Sequence, residues 1–93
     1  MPTPTPTPKR ARPTTAERQA LAAARRIARR QLSYGYFRSV DAPTTPYVYC
    51  PHRHKVEASV PAAATPAQVC LALRVRLTVH LIDNDEVHST AGR

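Results

Sequence analysis

The whole net charge of this chain lies in its first 38 residues. Nine cations there (Lys9, Arg10, Arg12, Arg18, Arg25, Arg26, Arg29, Arg30 and Arg38) face one acid, Glu17, and so carry the +8 of the full 93-residue sequence. From Ser39 onward, Arg53, Lys55, Arg74, Arg76 and Arg93 are balanced by Asp41, Glu57, Asp83, Asp85 and Glu86. The chain therefore divides into a cationic arm and a neutral part from which a compact domain has to be drawn. Its core is small. With no Trp, one Phe and four Tyr, it rests on Val, Leu and Ala, and such a core gains from a metal ion or a partner chain.

Residues 1–13 run MPTPTPTPKRARP. The Thr-Pro repeat removes backbone donors and fixes φ near polyproline values, which predicts a disordered arm ending in a basic cluster. A helix is predicted over 14–32. Thr14 followed by Glu17 fits a capping box, and Ala20, Leu21, Ala24, Ile27, Ala28 and Leu32 recur three and four apart. The stripe is weakly apolar, so this helix either packs loosely on the domain or stands apart as a basic rod. Residues 33–93 form the predicted small domain.

Gly35 ends the helix, and Tyr34, Tyr36 and Phe37 then alternate with Arg38. Aromatics beside arginine suit base stacking and phosphate contact, and they suit a β-strand equally. Pro43-Thr44-Thr45-Pro46 reads as a break. Tyr47–Cys50 and Lys55–Val60 read as the two strands of a hairpin whose tip is Pro51-His52-Arg53-His54. Residues 66–82 carry two conflicting signals. Val69, Leu71, Leu73, Val75, Leu77, Val79 and Leu81 alternate as in a strand, yet Thr65, Pro66 and Gln68 supply an N-cap, a first-turn proline and a capping-box partner. Three start signals at the correct offsets favour a helix. The expected class is α+β: a basic arm, a basic helix, then a β-hairpin packed on a C-terminal helix.

Four His and two Cys invite a metal reading, which geometry narrows. Cys50 and His54 flank the hairpin tip as near-opposite residues, with Cβ atoms about 5 Å apart. The second strand leaves the tip over about 20 Å, at roughly 3.3 Å per residue. A helix starting at Pro66 and returning antiparallel needs about 13 residues at 1.5 Å each, which brings His80 back to the tip. His88, just past the helix end, is the expected fourth ligand, and Cys70 is read as a small core residue near the hairpin's base. Against this stands a plainer reading: His52 as a polar turn residue and His80 as a cation at a helix end.

The ββα arrangement with Cys50, His54, His80 and His88 resembles the small Cys/His zinc-finger-like proteins of bacterial and phage genomes, over residues 47–88. Those proteins place an aromatic before a Cys-Pro at a hairpin tip and histidines near the end of the next helix, and zinc is the metal the resemblance implies. A classical finger has its Cys and His pairs about 12 residues apart. Here 25 residues separate His54 from His80, and seven separate His80 from His88.

A clustered basic segment points to a polyanion, because its cations displace counterions from phosphates. The expected role is that of a non-enzymatic nucleic-acid-binding accessory or regulatory protein, for DNA or RNA. Its phosphate contacts come from Lys9, Arg10, Arg12, Arg18, Arg25, Arg26, Arg29, Arg30 and Arg38, with Tyr36 beside them. The alternative is a protein-interaction module that docks on a larger complex. Neither a signal-like apolar segment nor a membrane-spanning run is visible, so a cytoplasmic protein without a membrane partner is expected.

Overall fold

The computed structural model describes residues 14–87. The Thr-Pro arm with Lys9, Arg10 and Arg12, and His88 at the other end, lie outside the described residues. Helix α1 covers Thr15–Ser33 and begins where Thr14 accepts a hydrogen bond from the Glu17 backbone N–H at 3.1 Å. Tyr34 caps its end, and Gly35, at φ +103°, turns the chain through a conformation that side chains disfavour. All six residues of the predicted apolar stripe are at least partly buried. Ala24 and Ala28 are wholly so, and these two methyl-sized side chains let α1 lie close against the second helix.

Three antiparallel strands follow in the order β1 (Phe37–Ser39), β2 (Ala42–Tyr49) and β3 (Lys55–Glu57). Tyr47, Val48 and Tyr49 pair with Glu57, Val56 and Lys55, which is the expected hairpin. Its burial alternation continues past β3, with Val56, Ala58 and Val60 inside. One reading left open is resolved and one expectation is corrected. The segment following Gly35 is a third strand, with Phe37 opposite Tyr47 and an irregular register between Phe37 and Ser39. In addition, Pro43-Thr44-Thr45-Pro46 is not a break but the first half of the central strand. A proline forfeits only its donor. Pro46 still accepts from the Ala58 N–H at 3.1 Å, and Thr44 accepts from the Val60 N–H at 2.9 Å, so the carbonyls carry the ladder there.

Helix α2, Pro66–Asp83, has the complete capping box: Thr65 accepts from the Gln68 N–H at 3.2 Å and Gln68 accepts from the Thr65 N–H at 2.9 Å. The apolar alternation of this segment takes on a different meaning in a helix. Residues four apart share a side, so Val69, Leu73, Leu77 and Leu81 form a fully buried stripe. Leu71, Val75 and Val79 form a second apolar stripe that faces outward, each about half exposed. The core is the meeting of the buried stripe with Ala24 and Ala28 of α1 and with Val48, Val56, Ala58 and Val60 of the sheet. Among the described residues, no helix is long and apolar enough to cross a membrane.

Candidate metal centre

The hairpin tip is a tight loop. Cys50 N–H donates to the His54 carbonyl at 3.0 Å and Arg53 N–H to the Cys50 carbonyl at 2.8 Å, while Arg53 itself sits at φ +66°. A three-residue loop closing on a left-handed residue is a common hairpin form. Its effect is to bring the Cys50 side chain beneath the start of β3, where Sγ accepts the His54 backbone N–H at 3.2 Å. The antiparallel return of α2 delivers His80 to the same place, as the rise per residue predicts. The T-shaped packing of the His54 and His80 rings, 5.4 Å apart, marks the junction.

Among the described residues, Glu86 supplies a fourth group; His88, the expected one, lies outside them. After α2 ends at Asp83, Asp85 adopts φ +52° and reverses the chain, and buried Val87 pins the reversed segment to the core. Glu86 is thereby turned inward and is only 4% exposed. Its Oε2 lies 3.1 Å from His54 Nδ1 and 2.5 Å from His80 Nε2. One ligand atom from each of Cys50, His54, His80 and Glu86 can be chosen so that all four lie within 4.8 Å of one another. This cluster can hold a metal ion. Cys70, half-buried near Leu32 and Arg29 between the helices, is outside it, and His52 is an exposed turn residue.

The electrostatics describe what the cluster does without an ion. Burial, and then the neighbouring Glu86, push the Cys50 thiol up, against the backbone N–H groups of His54 and His52, which favour the thiolate. Burial would likewise raise the Glu86 carboxyl. Hydrogen bonds from Cys50 and His54, followed by the charge and hydrogen bonding of His80, outweigh it and bring the carboxyl below its ordinary range. Three groups able to carry protons thus converge on one sealed carboxylate. His80 Nε2 is itself buried and makes a short contact to Glu86. These are also the lone pairs a dication would use, so metal uptake here exchanges protons for an ion. Asn84 donates to His80 Nδ1 at 3.2 Å and to the His80 carbonyl at 2.9 Å, holding the ring in place.

Cys50, His54 and His80 are therefore brought together as their spacing implied. Glu86 was hidden within the acidic run Asp83-Asn84-Asp85-Glu86. The available signal was Val87, an apolar residue directly after that run, which requires the chain to turn back to the core. The residues expected to meet phosphate are dispersed differently. Arg18, Arg25, Arg26, Arg29 and Arg30 are all exposed on α1, and Arg38 is exposed on β1. Tyr36 is partly buried against the core, while its neighbour Phe37 faces out. Comparison with protein-family models, curated proteins and solved structures finds no match to this chain.

Proposed function

We propose that this protein is a non-enzymatic nucleic-acid-binding factor whose small fold is clamped by one zinc ion. The observation that carries the binding half is the state of α1. Its five arginines are exposed, and the ion pairs of the described residues are His54–Glu86, His80–Glu86 and Lys55–Glu57. Among the described residues, the arginines of α1 thus have no carboxylate partner, a pattern that supports a phosphate-binding surface.

The zinc half rests on the donor set. One thiolate, two imidazoles and one carboxylate suit zinc, and four protein donors make a closed, structural site. Around tetrahedral zinc, donor atoms stand about 3.3–3.8 Å apart, given bond lengths of about 2.0–2.3 Å. A cluster already within 4.8 Å is close to that spacing. When bound, the ion ties the hairpin tip to the end of α2.

Because α1 buries Ala24 and Ala28 in the core, deleting it would test folding rather than binding. The cleaner experiment replaces Arg18, Arg26 and Arg30 by Gln and measures duplex and single-strand affinity across a salt series. The log–log slope should fall by about one for each phosphate contact removed. An unchanged slope and affinity would remove α1 from the interface.

One observation favours a second reading, a protein-docking module. Leu21 of α1 and Leu71, Val75 and Val79 of α2 line a groove of about 500 Å³, rimmed by Arg25, Arg29 and Arg74. An apolar floor with a cationic rim complements an amphipathic helix with acidic flanks, whereas a second copy of this chain would set like charges against each other. Binding of a Leu/Glu amphipathic peptide that is lost on Val75→Asp would support it. Absence of binding to the wild-type protein would dismiss it.

A further inference from the structure

We propose that the outer face of the sheet is a stacking platform for unpaired nucleic-acid bases. The inference rests on the nucleic-acid reading above and specifies which form of nucleic acid the protein takes. The first observation is where the aromatics are not. None of the chain's one Phe and four Tyr belongs to the buried core, which is built from Val, Leu, Ala and Cys. In a fold this short of apolar bulk, leaving Phe37 and Tyr49 about half exposed calls for a reason beyond stability.

Three of these rings are gathered into one patch. Tyr47 and Tyr49 alternate with buried Val48, so both point away from the helices, and Phe37 joins them from the paired strand β1. Phe37 stacks on Tyr47 at 5.4 Å between centroids, 18° from parallel, and Tyr49 meets both edge-on at 5.7 and 5.8 Å. Phe37 is 53% exposed and Tyr49 41%, so each presents surface on which a base can lie. Lys55 sits 4.4 Å from the centre of the Tyr47 ring, and its ammonium also engages Glu57 at 3.3 Å, neutralising that acid, whose residue lies opposite Tyr47 in the sheet.

The surroundings are cationic. Arg38 follows Phe37 on β1. The Gln31 side chain donates to the Tyr49 carbonyl at 2.9 Å, which fastens the last turn of α1, with Arg30, to the edge of the patch. Backbone phosphates can follow these cations while bases lie on the rings, the combination by which single strands are held without sequence readout. A duplex keeps its bases stacked on one another and cannot use the rings, so only its phosphates would be engaged.

The test measures wild-type, Phe37→Leu and Tyr49→Ala binding to an oligothymidine strand and to a duplex of the same length, at one fixed moderate salt. Phe37→Leu keeps apolar bulk but removes the stacking surface, and circular dichroism and melting confirm that each variant folds. Each substitution should weaken single-strand binding about tenfold, within the range seen for loss of one base–aromatic stack, with duplex binding unchanged. Because the chain has no Trp, its emission comes from four tyrosines, two of them in the patch, and the quenching produced by the single strand should be reduced in Tyr49→Ala. Equal weakening of both forms, or no effect on either, would overturn the platform and leave the electrostatic reading standing. If the wild-type protein binds neither form at low salt, the nucleic-acid reading itself is wrong, and the platform goes with it.

Discussion

At the N-terminal end of α2, Val69 and Leu73 are sealed among apolar side chains contributed by α1 and the sheet. At its C-terminal end, His80 meets Cys50, His54 and Glu86 in a cluster of titratable groups. Both ends hold the same helix to the same sheet, but by different physics. The apolar seam depends on area removed from water and is indifferent to ions and to mild pH change. The polar end is conditional: its groups hold one another through protons, or hold an ion in their place. A small core secured at one end by packing and at the other by a cluster of titratable groups can be loosened selectively at its tip.

The largest effect should come from emptying the tip. Protein purified with zinc should carry about one equivalent per chain, and a chelator should lower its melting temperature. If the free ion is a thousandfold above its dissociation constant, linkage makes this loss about 4 kcal/mol. Cys50→Ser and His80→Ala should each mimic the chelator, while Cys70→Ala, outside the cluster, should retain the ion. A metal-free protein as stable as the loaded one would erase the contrast between the two ends.

Next comes the seam. Leu77→Ala, at a fully buried position, should cost about 2–5 kcal/mol in chemical denaturation. Val75→Ala, two residues away on the outward stripe at 55% exposure, should change stability by no more than about 0.5 kcal/mol. Comparable losses at both positions would mean that the outward stripe is covered in solution, and the groove would then need its occupant identified first.

A smaller effect distinguishes the two ends by pH, in metal-free protein. Glu86 has its carboxyl lowered in the fold, so its contribution is present above the ordinary carboxylate range and is lost as pH falls through the folded-state value. Cys50 has its thiol raised, so the thiol form contributes fully below the ordinary thiol range and loses that contribution as pH rises through the folded-state value. Stability against pH should therefore show a plateau between these ranges. Glu86→Gln should flatten its acid side, whereas Leu77→Ala should lower the whole curve without changing its shape. An acid side equally steep in Glu86→Gln would assign it to other carboxylates.

Reading from sequence succeeded where chemistry is local and faltered where it depends on partners. Thr65, Pro66 and Gln68 specify a helix start within four residues, and the rise per residue then places His80 at the tip without further information. The central strand was obscured because Pro43 and Pro46 read as breaks, when a proline removes only a donor, and the carbonyls of Thr44 and Pro46 accept from the N–H groups of Val60 and Ala58 farther along the chain. Glu86 was obscured because an acid in a polar run resembles a solvated helix end until the reversal at Asp85 turns it inward. Phe37 and Tyr36 differ only in which neighbour sits on which face, and that is fixed by pairing with Tyr47, a contact ten residues away.

The smallest effect compares the two helix starts. Thr65 and Gln68 form a reciprocal box, each side chain accepting from the other's backbone N–H, at the helix that carries the buried stripe. Thr14 accepts from Glu17 N–H at the first turn of α1, where residues 14–19 are all exposed. Fraying the first turn of α2 loosens Val69, at 0% exposure, whereas fraying the first turn of α1 uncovers nothing apolar. Thr65→Ala should therefore cost roughly 1 kcal/mol, read as a lower denaturation midpoint with unchanged slope, and Thr65→Ser should restore most of it. Thr14→Ala should shift the midpoint less and appear mainly as faster amide exchange confined to the start of α1. A larger shift from Thr14→Ala than from Thr65→Ala would reverse the ranking and make α1, rather than α2, the helix on which the apolar seam depends.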